Sequence, residues 1–457
     1  MKKMSGMAAV LAVCMALLSH SFVVGVPLSE GMQSPEQPLT RLAFGSCSKH
    51  DRPQPLWSPI SDFQPQLWIW LGDVVYADTK HFPMFWEPSP VSVMKAKYDA
   101  QKARPAYHNF SSSTPIIGTW DDHDYGVNNG GAAYLEREQS KQLFLDFFDE
   151  PKAYIHIRTS ARWTRNGVYG AYTFGPAGKR VKVILLDVRY NRDDPTVPDR
   201  DILGEEQWQW FERELRESDA QINFVGSGIQ VLPRDKPVQE KWTNFPRSLA
   251  RLEKTLQLSK GTVVLLSGDV HYAEIFKTRP RCGAEAKHYE GIYEITSSGM
   301  THCLHDHFPL GFGHSIFNAV MGSKWRVSGG FEHRNFGTIE IAWGEETGHP
   351  TEIQVSIRGE AGQKALEQTI VVGAKSDDEH RCMIDAEVSG YESAQDSWMT
   401  WHSDVFINSL NYAILASPAV VVLVLAILIY RRRSQHSNHV QSKSSNTKKR
   451  VNKKKTK

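Results

Sequence analysis

Seven side chains in this sequence have the chemistry to hold and use metal ions: Cys47, Asp73, Tyr76, Asp122, His123, Asp269 and His271. A thiolate and a phenolate suit a trivalent or borderline transition ion, whereas a carboxylate-rich position suits Ca2+, Mg2+ or Mn2+. Asp73 could bridge two such ions. Two cations a few ångströms apart can bind both an attacking hydroxide and the oxygens of a phosphoryl group during in-line displacement. Each residue also has an ordinary structural reading. An aspartate after a strand commonly caps a turn, Tyr76 could be a core tyrosine, and Cys47 could be half of a disulfide. Recurrence favours the metal reading, because these groups all follow apolar runs.

The central run is Leu67-Trp68-Ile69-Trp70-Leu71, five apolar residues without alternation, which predicts a strand buried on both faces. Gly72 then lets the chain turn so that Asp73 and Tyr76 point back over the strand end. Other apolar runs end in the same manner. Residues 41–44 lead into Gly45-Ser46-Cys47-Ser48, residues 115–120 into Asp121-Asp122-His123-Asp124, and residues 181–186 into Asp187-Val188-Arg189. Residues 222–225 lead into Gly226-Ser227-Gly228, and residues 262–266 into Ser267-Gly268-Asp269-Val270-His271.

Helical periodicity covers residues 91–108, disrupted at Pro105, and residues 132–149, 203–215 and 245–258. Residues 51–59 read as loop. The order strand, polar turn, helix predicts helices outside a largely parallel or mixed sheet. Residues 289–297, 336–343 and 352–358 alternate with strand period, predicting a second sheet facing the first. The expected fold is α/β, with two sheets between helices and polar strand ends along one edge.

At 457 residues and 40% hydrophobic, the chain can bury one large core or two ordinary ones. Its net charge of +2 hides an asymmetry: residues 431–457 carry eleven Lys or Arg and no acid, so the body is acidic. An acidic body counts against a nucleic-acid partner, and a phosphate site within it needs cations. Residues 1–26 read as a signal peptide, 27–40 as a linker, and 41–372 as the folded domain. Residues 373–408 read as an elaboration and stalk, 409–430 as a transmembrane helix, and 431–457 as a basic cytoplasmic tail. A GPI signal fits poorly, because the tail continues polar and charged. The expectation is a single-pass type I membrane protein whose domain is extracellular or faces an endomembrane lumen. In that compartment Asn109-Phe110-Ser111 is a glycosylation acceptor. Disulfides are also favoured there, and with Cys47 kept free the preferred bridge is Cys282–Cys303, leaving Cys382 over.

In order along the chain, Gly45-Ser46-Cys47-Ser48, Gly72-Asp73-Val74-Val75-Tyr76, Thr119-Trp120-Asp121-Asp122-His123-Asp124-Tyr125-Gly126, Leu186-Asp187-Val188-Arg189, Leu203-Gly204-Glu205-Glu206-Gln207-Trp208 and Ser267-Gly268-Asp269-Val270-His271 resemble the motifs of the PhoD-like alkaline phosphatases, calcineurin-like metallophosphoesterases. The resemblance spans residues 41–359 and implies a four-layer α/β/β/α metallophosphoesterase sandwich. It implies Fe3+ on Cys47, Asp73 and Tyr76, and Ca2+, or Mg2+, Mn2+ or Zn2+, near Asp73, Asp122 and Asp269, with His271 as a further ligand. His123 would give a hydrogen bond or proton to the substrate or leaving group, and Arg189 would lie near the substrate phosphate. The implied activity is hydrolysis of phosphate monoesters or diesters by a metal-bound hydroxide. Two alternatives use the same fold: an inactive membrane receptor or adhesion protein, and a nucleotidase or nuclease. His302, His305 and His307 match no transferred motif, although His302 has a possible substrate-side role.

Overall fold

The computed structural model of the chain describes residues 37–81, 85–152, 160–236, 239–278, 291–306, 322–344 and 349–373. The expected signal peptide, stalk, span and tail, together with Cys282, His307 and Cys382, lie outside the described residues. Among the described residues no helix is long and apolar enough to cross a membrane.

Two sheets organise the fold. The first has the order β15 (Lys364–Val371), β14 (Glu352–Arg358), β13 (Phe336–Ala342), β1 (Arg41–Gly45), β2 (Leu67–Leu71) and β5 (Ile116–Thr119). The second has the order β12 (Arg326–Phe331), β10 (Ala273–Lys277), β11 (Tyr293–Ser297), β9 (Thr262–Ser267), β8 (Ile222–Ser227), β7 (Val181–Leu185) and β6 (Gly170–Phe174). In the first sheet β1, β2 and β5 run parallel. In the second, β7, β8, β9 and β11 do. The C-terminal ends of these parallel strands carry every motif quoted above except Leu203–Trp208, which opens a helix.

The unalternating pattern of β2 has a direct cause. Leu67, Ile69 and Leu71 enter the core between the sheets, alongside Val183, Phe224 and Val264 of the second sheet. Trp68 and Trp70 point the other way, into an outer core with α1 (Trp57–Phe63), α2 (Val91–Lys102), α3 (Pro105–Ser111), the short α4 (Asp122–Tyr125) and α5 (Arg137–Phe147). There Trp57 packs edge-on at 5.3 Å from Trp68 and 5.7 Å from Trp70. On the far side, Val263 and Leu265 of β9 meet Trp208, Phe211 and Leu215 of α6 (Glu205–Arg216) and Leu249 and Leu252 of α7 (Pro246–Leu256). The result is a mixed α/β fold of two facing sheets with helices on the outer faces.

Several local expectations change. Pro105 splits the predicted helix in two and opens α3, where its missing N–H costs nothing. Residues 57–63, expected partly as loop, are helical because Trp57 and Ile60 bury against β2. Five strands escaped the sequence reading: β10, β12 and β15, plus the hairpin of β3 (Thr79–His81) and β4 (Phe85–Glu87). β15 is a sheet edge whose exposed residues, Lys364, Glu367 and Thr369, do not alternate strictly with apolar ones, and β12 contains two glycines, so neither displays a clear apolar period.

Candidate metal centre

At the shared edge, loops from both sheets interlock closely. A Cβ on Gly72, whose φ is +94°, would stand 2.4 Å from Asp121 Cβ, and one on Gly268 would stand 2.5 Å from the Leu71 carbonyl oxygen. Only glycine permits either approach. Main-chain hydrogen bonds lock the crossing: Ser48 N donates to Asp73 O at 2.7 Å, Ala77 N to His123 O at 2.9 Å, and Met300 N to Ser46 O at 3.1 Å. Cys47, Asp73, Asp269 and His271 all adopt positive φ, between 52° and 75°. Each such residue costs on the order of 1 kcal/mol, strain that the surrounding packing must hold.

These turns gather the donors. Cys47, Asp73 and His271 each offer a ligand atom within 4.8 Å of the others, and so do Asp73, Asp122 and His123, making Asp73 common to both groups. Cys47 is a free thiol, which removes its disulfide reading, and its Sγ lies 3.5 Å from Asp73 Oδ2. The Tyr76 hydroxyl lies 3.0 Å from His271 Nε2 and 2.8 Å from His302 Nε2. Asp269 touches the cluster through its main chain, its carbonyl oxygen 3.5 Å from Cys47 Sγ. Its side chain is outside both tight groups, though it feels the charge of Asp121 and Asp122.

His123 has a distinct setting. Its Nδ1 lies 2.8 Å and 3.0 Å from the two Asp78 oxygens, leaving Nε2 without a partner among the described residues. Its ring stacks on Tyr76 at 4.0 Å and meets Trp86 at 4.3 Å, and its amide donates to Asp73 Oδ1 at 3.2 Å. Asp122 Oδ2 accepts from Asn129 N at 2.8 Å. Asp124 is occupied with structure, capping Asp121 N at 2.6 Å and Val74 N at 3.1 Å.

Arg189 is placed differently from the sequence expectation. It is fully buried, with its Nε 2.7 Å from Asp121 Oδ1 and its NH1 2.8 Å from Glu240, which also pairs with Arg192. Its fork is therefore engaged by carboxylates. Asp187 shapes that loop by accepting from Arg189 N and Tyr190 N, each at 2.9 Å. Gln207 clamps the Asp187 main chain with two 2.8 Å bonds, which explains the Gly204-Glu205-Glu206-Gln207 motif.

Sequence reasoning missed two contributors, Ser298 and Asn335. Ser298 Oγ donates to Cys47 Sγ at 3.0 Å and accepts from His271 N at 2.8 Å, while Asn335 Nδ2 holds Ser298 O at 2.7 Å. His302 joins the Tyr76–His271 pair. The available signal was the polar turn Ser297-Ser298-Gly299 after β11, which follows the pattern of the other strand ends. His305 faces His333 instead, their rings 4.3 Å apart, and Cys303 is a free thiol.

Burial, then mutual repulsion, governs the site's protonation. Burial followed by the Asp73 charge pushes the Cys47 thiol up, and burial followed by Cys47 and Asp73 pushes up the Tyr76 phenol. Burial raises Asp73 well above the carboxylate range despite His123, and lifts Asp121 to about 7 despite Arg189. Burial also opposes ionisation of Asp122, but His123 and Arg189 outweigh it and hold this carboxyl below its usual range. For His123 burial disfavours the cation, yet Asp122, Asp73 and Asp78 outweigh it and raise the group to about 9. A soft and hard donor set whose anionic groups outnumber the neighbouring positive charges fits bound cations.

This electrostatics fixes a sign for pH dependence. Without cations the native Asp73 and Asp121 bind protons more tightly than in the unfolded chain, so stability falls as pH rises from the carboxylate range to about 7. The His123 contribution is complete below its ordinary 6.5 and is lost as pH rises through about 9. Chelator-treated protein should therefore melt at a lower temperature at a pH of roughly 8.5 than at roughly 6, and added Mn2+ or Ca2+ should narrow the gap. A gap unchanged by excess cation would contradict cation binding by these carboxylates.

Comparison with known proteins places this edge in context. A family profile described as PhoD-like phosphatase matches residues 42–346. Alkaline phosphatase D of Bacillus subtilis (strain 168) is 28% identical over 206 residues, covering 38% of this chain and 34% of that protein. The match thus spans about a third of the curated relative's length. A solved structure titled "Structure of PhoD" superposes with a TM-score of 0.52 over 83% of this chain and 80% of its own, at 14% identity, which shows a shared fold. Since the family match takes in well over half of the sequence and contains every strand end that supplies the clustered donors, this chain belongs to the PhoD-like phosphatase family.

Proposed function

We propose that this chain hydrolyses phosphate monoesters or diesters at a two-cation centre bridged by Asp73. The observation that carries the reading is that Asp73 belongs to both groups of converging donors. Cys47, Asp73, Tyr76 and His271 would hold one ion, for which their thiol and phenol favour Fe3+. Asp73, Asp122 and Asp269 would hold the other, with oxygen chemistry suited to Ca2+, Mg2+ or Mn2+ and also open to Zn2+. When bound, the ions supply an acidified water and positive charge for the phosphoryl oxygens.

The chain's own residues do the rest. His123 is the general acid: Asp78 holds Nδ1 and favours the protonated imidazole, and Nε2 is left to donate to the departing alcohol oxygen. Stacking between Tyr76 and Trp86 fixes the plane of that ring. Arg189 is a positioning residue, holding Asp121 and Glu240 rather than the phosphate. The signal-like start and the apolar run at 409–430 support an enzyme anchored by one transmembrane helix, its substrate met outside the cell or in a lumen.

Elemental analysis of the purified protein, with p-nitrophenyl and bis-p-nitrophenyl phosphate assayed on the same sample, should find about one iron and one divalent ion per chain with hydrolysis. Asp73→Asn should lose both ions and lower kcat/KM by about 100-fold, more than Asp124→Asn, whose main effect is on thermal stability. Full metal content in Asp73→Asn would sink the bridge. His123→Gln should slow alkyl phosphates by about 100-fold but p-nitrophenyl phosphate far less, since a good leaving group needs no proton. Equal losses on both would remove His123 as the acid.

A further inference from the structure

The β3–β4 hairpin projects an unexplained cluster beside the metal centre. Trp86, paired with Lys80 across the hairpin, brings its half-buried indole to 4.3 Å from the His123 ring and 5.9 Å from the Tyr76 ring. The Lys49 ammonium lies 4.5 Å from the Tyr76 ring centre and 5.7 Å from that of Trp86, and the Lys80 ammonium lies 5.3 Å from Trp86. Hydrogen bonding of Lys49 N to Thr301 Oγ1 at 2.7 Å anchors the backbone behind the first ammonium. Among the described residues neither ammonium makes an ion pair.

Two cations without an acid partner, side by side over one flat ring, constitute an anion site with an aromatic floor. Their place relative to His123 says which part of a substrate reaches them. A proton donor must lie within hydrogen-bond reach of the oxygen that departs, so the group on that oxygen extends past the His123 ring. There it meets Trp86 first and the ammonium groups next.

We propose that Trp86, Lys49 and Lys80 form the leaving-group subsite, which selects aryl phosphates whose ring carries its own negative charge. The ring lies on Trp86, and its anionic substituent is neutralised by Lys49 and Lys80. This rests on His123 being the acid that faces the leaving group. The metal centre accounts for the phosphoryl group; the hairpin accounts for what is attached to it.

The test compares phenyl phosphate, 4-carboxyphenyl phosphate, cyclohexyl phosphate and 4-carboxycyclohexyl phosphate on the metal-loaded full chain, each as the ratio of variant to wild type, so that intrinsic reactivity cancels. Trp86→Leu should lower kcat/KM about tenfold further on both aryl substrates than on the cyclohexyl pair, opposite in sense to disturbing His123, which would slow the cyclohexyl esters more. Lys80→Met, on an exposed side chain that tolerates exchange, should remove about tenfold specifically from the carboxylated aryl substrate, and raised ionic strength should mimic it. Binding is read separately by calorimetry with the non-hydrolysable 4-carboxybenzylphosphonate and benzylphosphonate, where wild type should prefer the first about tenfold and Lys80→Met should not. Uniform losses across all four esters, or a carboxylate preference that survives Lys80→Met, would overturn the subsite. Preferential binding without any hydrolysis would uphold the subsite while removing the phosphatase reading. Hydrolysis without ring or charge preference in either arm would do the reverse.

Discussion

Everything at this site follows from packing several acids into one buried edge. Asp73, Asp121, Asp122 and Asp124 are all buried there, with Asp269 close by, while Cys47 and Tyr76 add two more groups that ionise to anions. Two like charges about 4 Å apart repel by about 4 kcal/mol at an effective dielectric constant near 20, so the cluster cannot all ionise unaided. Arg189 and His123 offset part of that charge, and the remaining anions are left to cations from outside. The left-handed turns at Cys47, Asp73, Asp269 and His271 add strain to repulsion. Such a site persists only where its scaffold is rigid.

Rigidity comes from both sides. In the outer core of the first sheet, Trp57, Trp68, Trp70 and Phe110 interlock, with ring centres 5.1 to 5.9 Å apart. On the second sheet, a buried polar network fixes the segment that leads to Glu240. Glu294 accepts from Val231 N at 2.8 Å and Leu232 N at 2.6 Å, and Lys236 bonds Gln230, Tyr272 and Glu274. Glu240 then ties Arg189 and Arg192 together, and Arg189 holds Asp121 next to Asp122. Ion pairs thus link Arg192, Glu240, Arg189 and Asp121 at the acidic edge.

Much of this was legible in the sequence because strand burial and donor chemistry are local properties. Unalternating β2 announced two covered faces, and polar turns after apolar runs announced where donors would stand. Which donors meet is a tertiary property. Cys47, Asp73 and His271 come from three turns on two sheets, and periodicity says nothing about distances between them. Arg189 was legible as a motif residue but its orientation was not, because Glu240 lies in a segment without any motif. Ser298 escaped for a related reason: β11 was legible as a strand, but its C-terminal turn meets Cys47 and His271 only in the folded chain. The Trp86 hairpin is three residues per strand, too short to show a period.

Anomalous diffraction from crystals of the metal-loaded chain, collected on either side of the iron edge, addresses the shared carboxylate most directly. The account predicts two peaks with Asp73 between them, the iron-specific one against Cys47 Sγ, Tyr76 and His271. A single peak that does not touch Asp73, or two sites with no common ligand, would contradict it.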